Sequence, residues 1–267
     1  MIRKPQVAGQ FYPQSPAGLK KQLDQLIASN QPQQQALGLV APHAGYVYSG
    51  AVAGLCFAKT KLTKTVIILG PNHTGLGPAF SIMSGGIWKM PLGDVAIDTA
   101  LAKRILGQSK YLNDDTQAHL YEHSIEVQLP FLQYFLTDVK IVPIVLAHAA
   151  YETYDSIGTG IANALKEQGQ KSLIIASSDM SHYQPQEQTQ TNDNLALEAI
   201  LDLDGEELLQ RVKAHRMSIC GYGPIACMLS AAKQLGAQKA ELLKYQTSGD
   251  VSGDYSSVVG YAGVRIT

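Results

Sequence analysis

The residues best suited to chemistry are histidines placed just past short apolar runs. Three stretches share this form: GLVAPHAGY (38–46), VIILGPNHTG (66–75) and SLIIASSDMSHY (172–183). A neutral imidazole is a ligand for Zn, Fe, Cu or Ni, and the Gly and Pro beside His43 and His73 let backbone approach closely. The plain alternative is that each imidazole only hydrogen-bonds its own loop. In the third stretch a helical turn past Ser178 would set Asp179 and His182 at i and i+3, on one face. His182 is then either a third metal ligand with a supporting carboxylate or one half of an acid/base pair, and the plain reading has Asp179 capping the turn.

Cys220, in SICGYGP, lies just ahead of a helix opened by Pro224. A helix N-terminus lowers a thiol's pKa, and the thiolate is the form that ligates metal or attacks a substrate. Cys56 and Cys227 fall in apolar helical stretches and read as small core hydrophobes. Glu122, His123 and Glu126 in EHSIE either line a pocket mouth or form a solvated helix start, and spacing alone leans to the latter. His148 also follows a strand-like run and competes on form. His119 and His215 lie in polar surroundings and read as surface residues.

These groups need a scaffold that brings strand ends together. Uninterrupted apolar runs near 38–41, 66–70 and 172–177 are the pattern of parallel strands covered on both faces. In open α/β sheets the crevice outside the carboxyl ends of the strands is where ligands bind, so the three histidines should converge there. His43 and His73 are separated by about one βαβ unit of ~30 residues. Around this frame Ser15 and Pro16 start a helix with an apolar stripe at Leu19, Leu23, Leu26 and Ile27, and a polar link covers Asn30 to Gln35. Helices are expected near 49–59, 99–106, 123–136 kinked or divided at Pro130, 157–168, 192–203, 205–213 and 223–235. Strands are expected near 79–84, 140–146, 241–245 and 256–266, with Pro143 arguing for an edge or bulge position.

At 267 residues, 45% hydrophobic and only 16% charged, the chain fits one large α/β domain and neither a disordered nor a coiled-coil class. A formal charge of −1 gives no electrostatic case for nucleic acid or an anionic membrane. No run approaches the ~20 apolar residues of a membrane span, and the first residues lack a secretory apolar region. Three cysteines make no disulfide framework and suit a reducing cytoplasm, so the expected location is cytoplasmic.

Seven motifs in order, VAGQFYP, APHAGYVYSG, LGPNHTG, EHSIEVQLPFL, SSDMSHY, CGYGP and the final TSGD with VVGYAG, resemble the Memo family over nearly the whole chain. That family is similar in fold to the class III extradiol ring-cleaving dioxygenases. The resemblance implies one α/β domain over residues 1–267 with a mainly parallel central sheet and helices on both faces. It implies a metal held by His43, His73 and Cys220, with Asp179 and His182 alongside, His123 nearby, and His148 outside the site. The expected metal is iron or copper, with zinc as an alternative. Cys220 stands where the dioxygenases carry a carboxylate, and a softer thiolate changes redox potential and oxygen reactivity.

Two function classes follow. One is a redox-related, metal-dependent oxidoreductase-like protein acting on a small molecule, with His182, Asp179 and His123 as the groups that move protons. The other is a module holding a peptide or partner in the same pocket without turnover. A Cys220/His182 nucleophilic hydrolase has the residue types but no local motif.

Overall fold

The computed structural model describes residues 1–27, 32–169 and 171–267, so Asn30 and Gln31 of the expected polar link lie outside the described residues. The strands are β1 (Ile2–Arg3), β2 (Gly38–Ala41), β3 (Thr65–Pro71), β4 (Phe80–Ile82), β5 (Ile87–Met90), β6 (Gly93–Ile97), β7 (Asn113–Asp114), β8 (Lys140–Leu146), β9 (Leu173–Ser177), β10 (His182–Gln184), β11 (Ala240–Thr247) and β12 (Val258–Ile266). The helices are α1 (Pro16–Leu26), α2 (Tyr46–Lys59), α3 (Thr99–Gly107), α4 (Gln117–Leu120), α5 (Leu129–Phe135), α6 (Tyr151–Gln168), α7 (Gln186–Leu201), α8 (Gly205–Ala214), α9 (Tyr222–Gln234) and α10 (Gly249–Ser252).

β6, β8, β3, β9 and β2 run parallel in that order and form the centre of one mixed sheet. β12 joins β2 antiparallel, with Val264 opposite Val40, and β11 and β10 pair with β12. Every residue of β2, β3 and β9 is buried, as an apolar run covered on both faces requires. The alternation of side chains shows what covers them. A Cβ on Gly38 would strike Met228 of α9, whereas one on Gly263 would strike Cys56 of α2. Gly38 pairs with Ile266, so the even-numbered residues here face α9 and their odd-numbered neighbours face α2. Helices therefore lie on both faces of a single α/β domain. Behind α9 pack α6 and α8, and behind α2 pack α1 and α5.

Local signals set several of these boundaries. Ser15 caps α1 by accepting from the Gly18 amide, with Pro16 at the first position. Pro143 is not at an edge, contrary to the sequence expectation. β8 pairs with β3 along one side, and on the other with β6 at Lys140–Ile141 and with β4 at Ile144–Leu146. The Pro143 carbonyl accepts from Met83 on that second side, so the missing N–H falls where the neighbouring strand changes. The expected helix 123–136 is shorter. A 3₁₀ turn at Glu126–Gln128 leads into α5, and Pro130 sits in its first turn, where no amide is needed.

Candidate metal centre

β3, β9 and β2 are neighbours, and their carboxyl ends deliver His73, Asp179 and His43 to one cleft of about 610 Å³. His182, His123, Phe11, Tyr48 and Tyr261 line it too. The rings of His43 and His73 lie 5.3 Å apart between centroids, those of His43 and His123 5.5 Å, and those of His73 and His123 4.8 Å. One ligand nitrogen from each of these three side chains lies within 4.8 Å of the others. A second hollow of about 400 Å³ lies at the amino ends of the strands and is lined by no imidazole, thiol or carboxylate side chain. The metal-ligating side chains therefore gather at the histidine end.

Hydrogen bonds fix which nitrogen of His43 and of His73 is free. Ser177 Oγ donates to the Ser124 carbonyl at 2.7 Å, which uses its only proton. The contact of 3.0 Å between Ser177 Oγ and His43 Nδ1 must then have the ring as donor, leaving the Nε2 lone pair of His43 facing the cleft. Gln128 Nε2 also donates to Ser177 at 2.8 Å and to the Pro42 carbonyl at 3.0 Å, bracing the turn. His73 Nδ1 lies 2.9 Å from Glu122 Oε1, and the His73 amide donates to Glu122 Oε2 at 2.8 Å. A carboxylate accepting from Nδ1 is the usual support behind a metal-binding histidine. Burial alone would raise the Glu122 carboxyl, but bonding and charge from His73 and the Ser124 amide outweigh it and hold it down at about 2. His73 is shifted the other way: burial opposes its charge, and Glu122 overcomes that to raise it. His123 has only a distant charge contact with Glu122, at 3.8 Å, and is held by stacking on His73 and by the edge of Phe11 at 5.1 Å. Burial first, and then neighbouring imidazoles, push His43 well below its ordinary value. Burial leads the lowering of His123 as well, against the pull of Glu122.

The EHSIE segment is not a solvated helix start. Glu122 and Glu126 are both fully buried. Glu126 receives Arg3 Nη1 at 2.7 Å, the Tyr12 hydroxyl at 2.7 Å and the amides of Gln6 and Val7, so it fastens the N-terminal arm that carries Phe11. Arg3 in turn lies 4.0 Å over the Trp88 ring and donates to the Glu122 carbonyl at 2.7 Å. The pattern of charge misled because these charges satisfy one another inside, where an unpaired one would be very costly.

Asp179 and His182 do not form the expected pair. The chain beyond β9 is extended rather than helical, and His182 opens β10. Asp179 Oδ1 accepts the His43 amide at 2.7 Å, while His182 Nδ1 donates to the Ser218 carbonyl at 2.7 Å. Asp179 thus shapes the His43 turn, and His182 keeps Nε2 free beside the cleft. Burial raises the Asp179 carboxyl.

Cys220 Sγ lies 3.3 Å from His43 Nε2, as a neighbouring ligand would, and accepts the Asp179 amide at 3.3 Å. Its thiol is not the low-pKa group expected from its place ahead of α9. Burial and the nearby Asp179 charge push it up, and both outweigh the helix terminus. His148 faces away from the cleft, stacked on Tyr222 and bonded to its hydroxyl at 2.8 Å. His119, read as a surface residue, is fully buried against Ser81, while His215 is exposed as expected.

An α/β sheet of this order with a histidine cluster at its strand ends defines a class that comparison with known proteins makes specific. The chain belongs to the Memo family: residues 3–265 match the Memo-like protein family. A MEMO1 family protein of Methanosarcina barkeri is 48% identical over 267 residues, covering 99% of this chain and 100% of that protein. One of Methanopyrus kandleri is 43% identical over 278 residues, covering 99% and 98%. Among solved structures, an uncharacterized protein of Escherichia coli K12 shares the fold with a TM-score of 0.55 at 11% identity, over 85% of this chain and 98% of that one.

Proposed function

We propose that this protein binds a redox-active metal, iron or copper, with zinc as the alternative, through His43 and His73, and acts on a small molecule in the cleft. The carrying observation is that His43 and His73 each have Nδ1 committed to a buried partner while three ligand nitrogens approach within 4.8 Å of one another. The donor set fits: neutral imidazoles suit all three metals. His123 completes a set of three nitrogens. Cys220, 3.3 Å from His43 Nε2, is the competing third ligand, since a bound metal would displace its proton. The metal would supply a cationic centre that polarises a bound oxygen or exchanges an electron. Around it, Asp179 fixes the His43 turn, and His182 Nε2 is placed to take or return a proton. His123, if it is not a ligand, does the same.

Anaerobic purification followed by elemental analysis tests this reading. Stoichiometric iron, copper or zinc that is lost in His43→Ala and His73→Ala, both folded, supports it; equal metal in parent and variants refutes it. A second reading has a peptide or partner held without turnover, and exposed Tyr183 and Tyr48 in the cleft lining favour it. Metal-free protein that captures peptide in the cleft would select it.

A further inference from the structure

VVGYAG, near the C-terminus, has no part in the centre described above, yet it places a side chain against it. Tyr261 is 2% exposed and lines the cleft. The ring is buried in the sheet while the hydroxyl is not sealed off, so its hydrogen bond is open to a molecule in the cleft. β12 runs antiparallel to β2, and continuing its register past Val264 opposite Val40 brings Tyr261 level with the turn that carries His43. Its side chain shares the face of Gly263, the side on which α2 packs. The hydroxyl therefore opens onto the floor beside the histidines.

We propose that Tyr261 is a ligand-binding residue of this cleft, donating its hydroxyl hydrogen bond to an anionic oxygen of a small chelating molecule, of the carboxylate or phenolate class, bound at the metal. This rests on the metal-binding reading above. Tyr261 suits donation over acceptance, because burial and then the charge of Asp179 push its pKa up and keep its proton in place. An anionic oxygen is the fitting acceptor: a metal on neutral imidazoles leaves excess positive charge, and bonds to charged acceptors are the stronger kind. The phenol ring packs into the sheet whether or not the hydroxyl is there, so the two roles separate in one substitution.

The test uses the full chain loaded with Co(II) and acetohydroxamate, a bidentate oxyanion, as the probe, read by the visible cobalt spectrum. Tyr261→Phe should hold Co(II) as the parent does, within about twofold, and bind acetohydroxamate about ten- to a hundredfold more weakly. Tyr134→Phe, which removes a hydroxyl bonded to Asp24 away from the cleft, should match the parent in both. Equal acetohydroxamate affinity in Tyr261→Phe and parent, or no binding of the probe to the Co(II)-loaded parent, overturns the role of Tyr261 alone. Failure of the parent to bind Co(II) overturns it together with the metal reading.

Discussion

Replacing Glu122 with Gln keeps the side chain's shape and removes its charge. The carboxylate accepts three N–H groups: the His73 amide at 2.8 Å, His73 Nδ1 at 2.9 Å and the Ser124 amide at 2.9 Å. A carboxamide offers one oxygen and an NH₂, so at least one donor is left facing another. Loss of such a carboxylate behind a histidine costs about 10–100-fold in metal affinity, or about 1.4–2.8 kcal/mol. Competition for Co(II) or Zn(II) against a chromophoric chelator reads this directly. Stability follows with a definite sign. The Glu122 carboxyl lies at about 2 in the folded protein against an ordinary 4.5, so its contribution is present above pH 4.5 and is lost as pH falls towards 2. His73 is raised, so its share is complete below pH 6.5 and fades as pH climbs through its folded value. These are two views of one ion pair and count once, on the order of 3 kcal/mol near pH 5–6. Urea unfolding of parent and Glu122→Gln should differ by that order at pH 5.5 and converge near pH 2. A folded Gln variant with the parent's metal affinity would show that Glu122 does not set His73, and complete loss of metal would make Glu122 a ligand itself.

Burial holds His119 down at about 4, against an ordinary 6.5, so the parent should lose about 2 kcal/mol relative to His119→Gln between pH 7 and pH 5, measured as the difference of two urea titrations. The sign is fixed by the buried ring: the unfolded chain takes up the proton first, and stability drains as pH falls. In metal-free protein at pH 7, half-buried Cys220 should alkylate with iodoacetamide far more slowly than a free thiol, because its pKa is raised; rapid modification of Cys220 by peptide mapping would contradict the Asp179-facing thiol.

The sheet was legible because its central strands carry their burial in composition. Runs such as LIIAS and TVIILGP have no polar face to hide, and a chain with so few charges has little else to place between helices. The placing of His43 and His73 at strand ends was legible for the same reason, since each stands two residues past such a run. What periodicity could not carry was long-range satisfaction of charge. Glu122 and Glu126 look solvated in a local window, and contacts distant in sequence, with His73 for Glu122 and with Arg3 and Tyr12 for Glu126, do much to offset the cost of burial. The i, i+3 reading of Asp179 and His182 failed through one assumption, a helical turn. The extended chain there sends one carboxylate oxygen to the His43 amide and turns the His182 ring towards Ser218.

The same contrast explains why the helix-terminus argument for Cys220 gave the wrong sign. A dipole favours a thiolate by ~0.3–1 kcal/mol when exposed, whereas taking the charge out of water costs several times more, and an ionised neighbour adds to that cost. Asp179 is that neighbour through its carboxylate charge, while its backbone amide, which donates to Sγ, works the other way without making up the difference. The arrangement makes Cys220 a donor only when a cation displaces its proton, while His43 and His73 have their lone pairs ready in the neutral state. Metal affinity through Cys220 should therefore climb with pH more steeply than affinity through the imidazoles, because each thiolate bond releases one proton. Co(II) titrations at pH 6.5 and 8.5 separate the two candidates for the third ligand. About a tenfold larger gain per pH unit in the parent than in Cys220→Ser assigns the thiolate, and identical pH dependence in the two assigns His123.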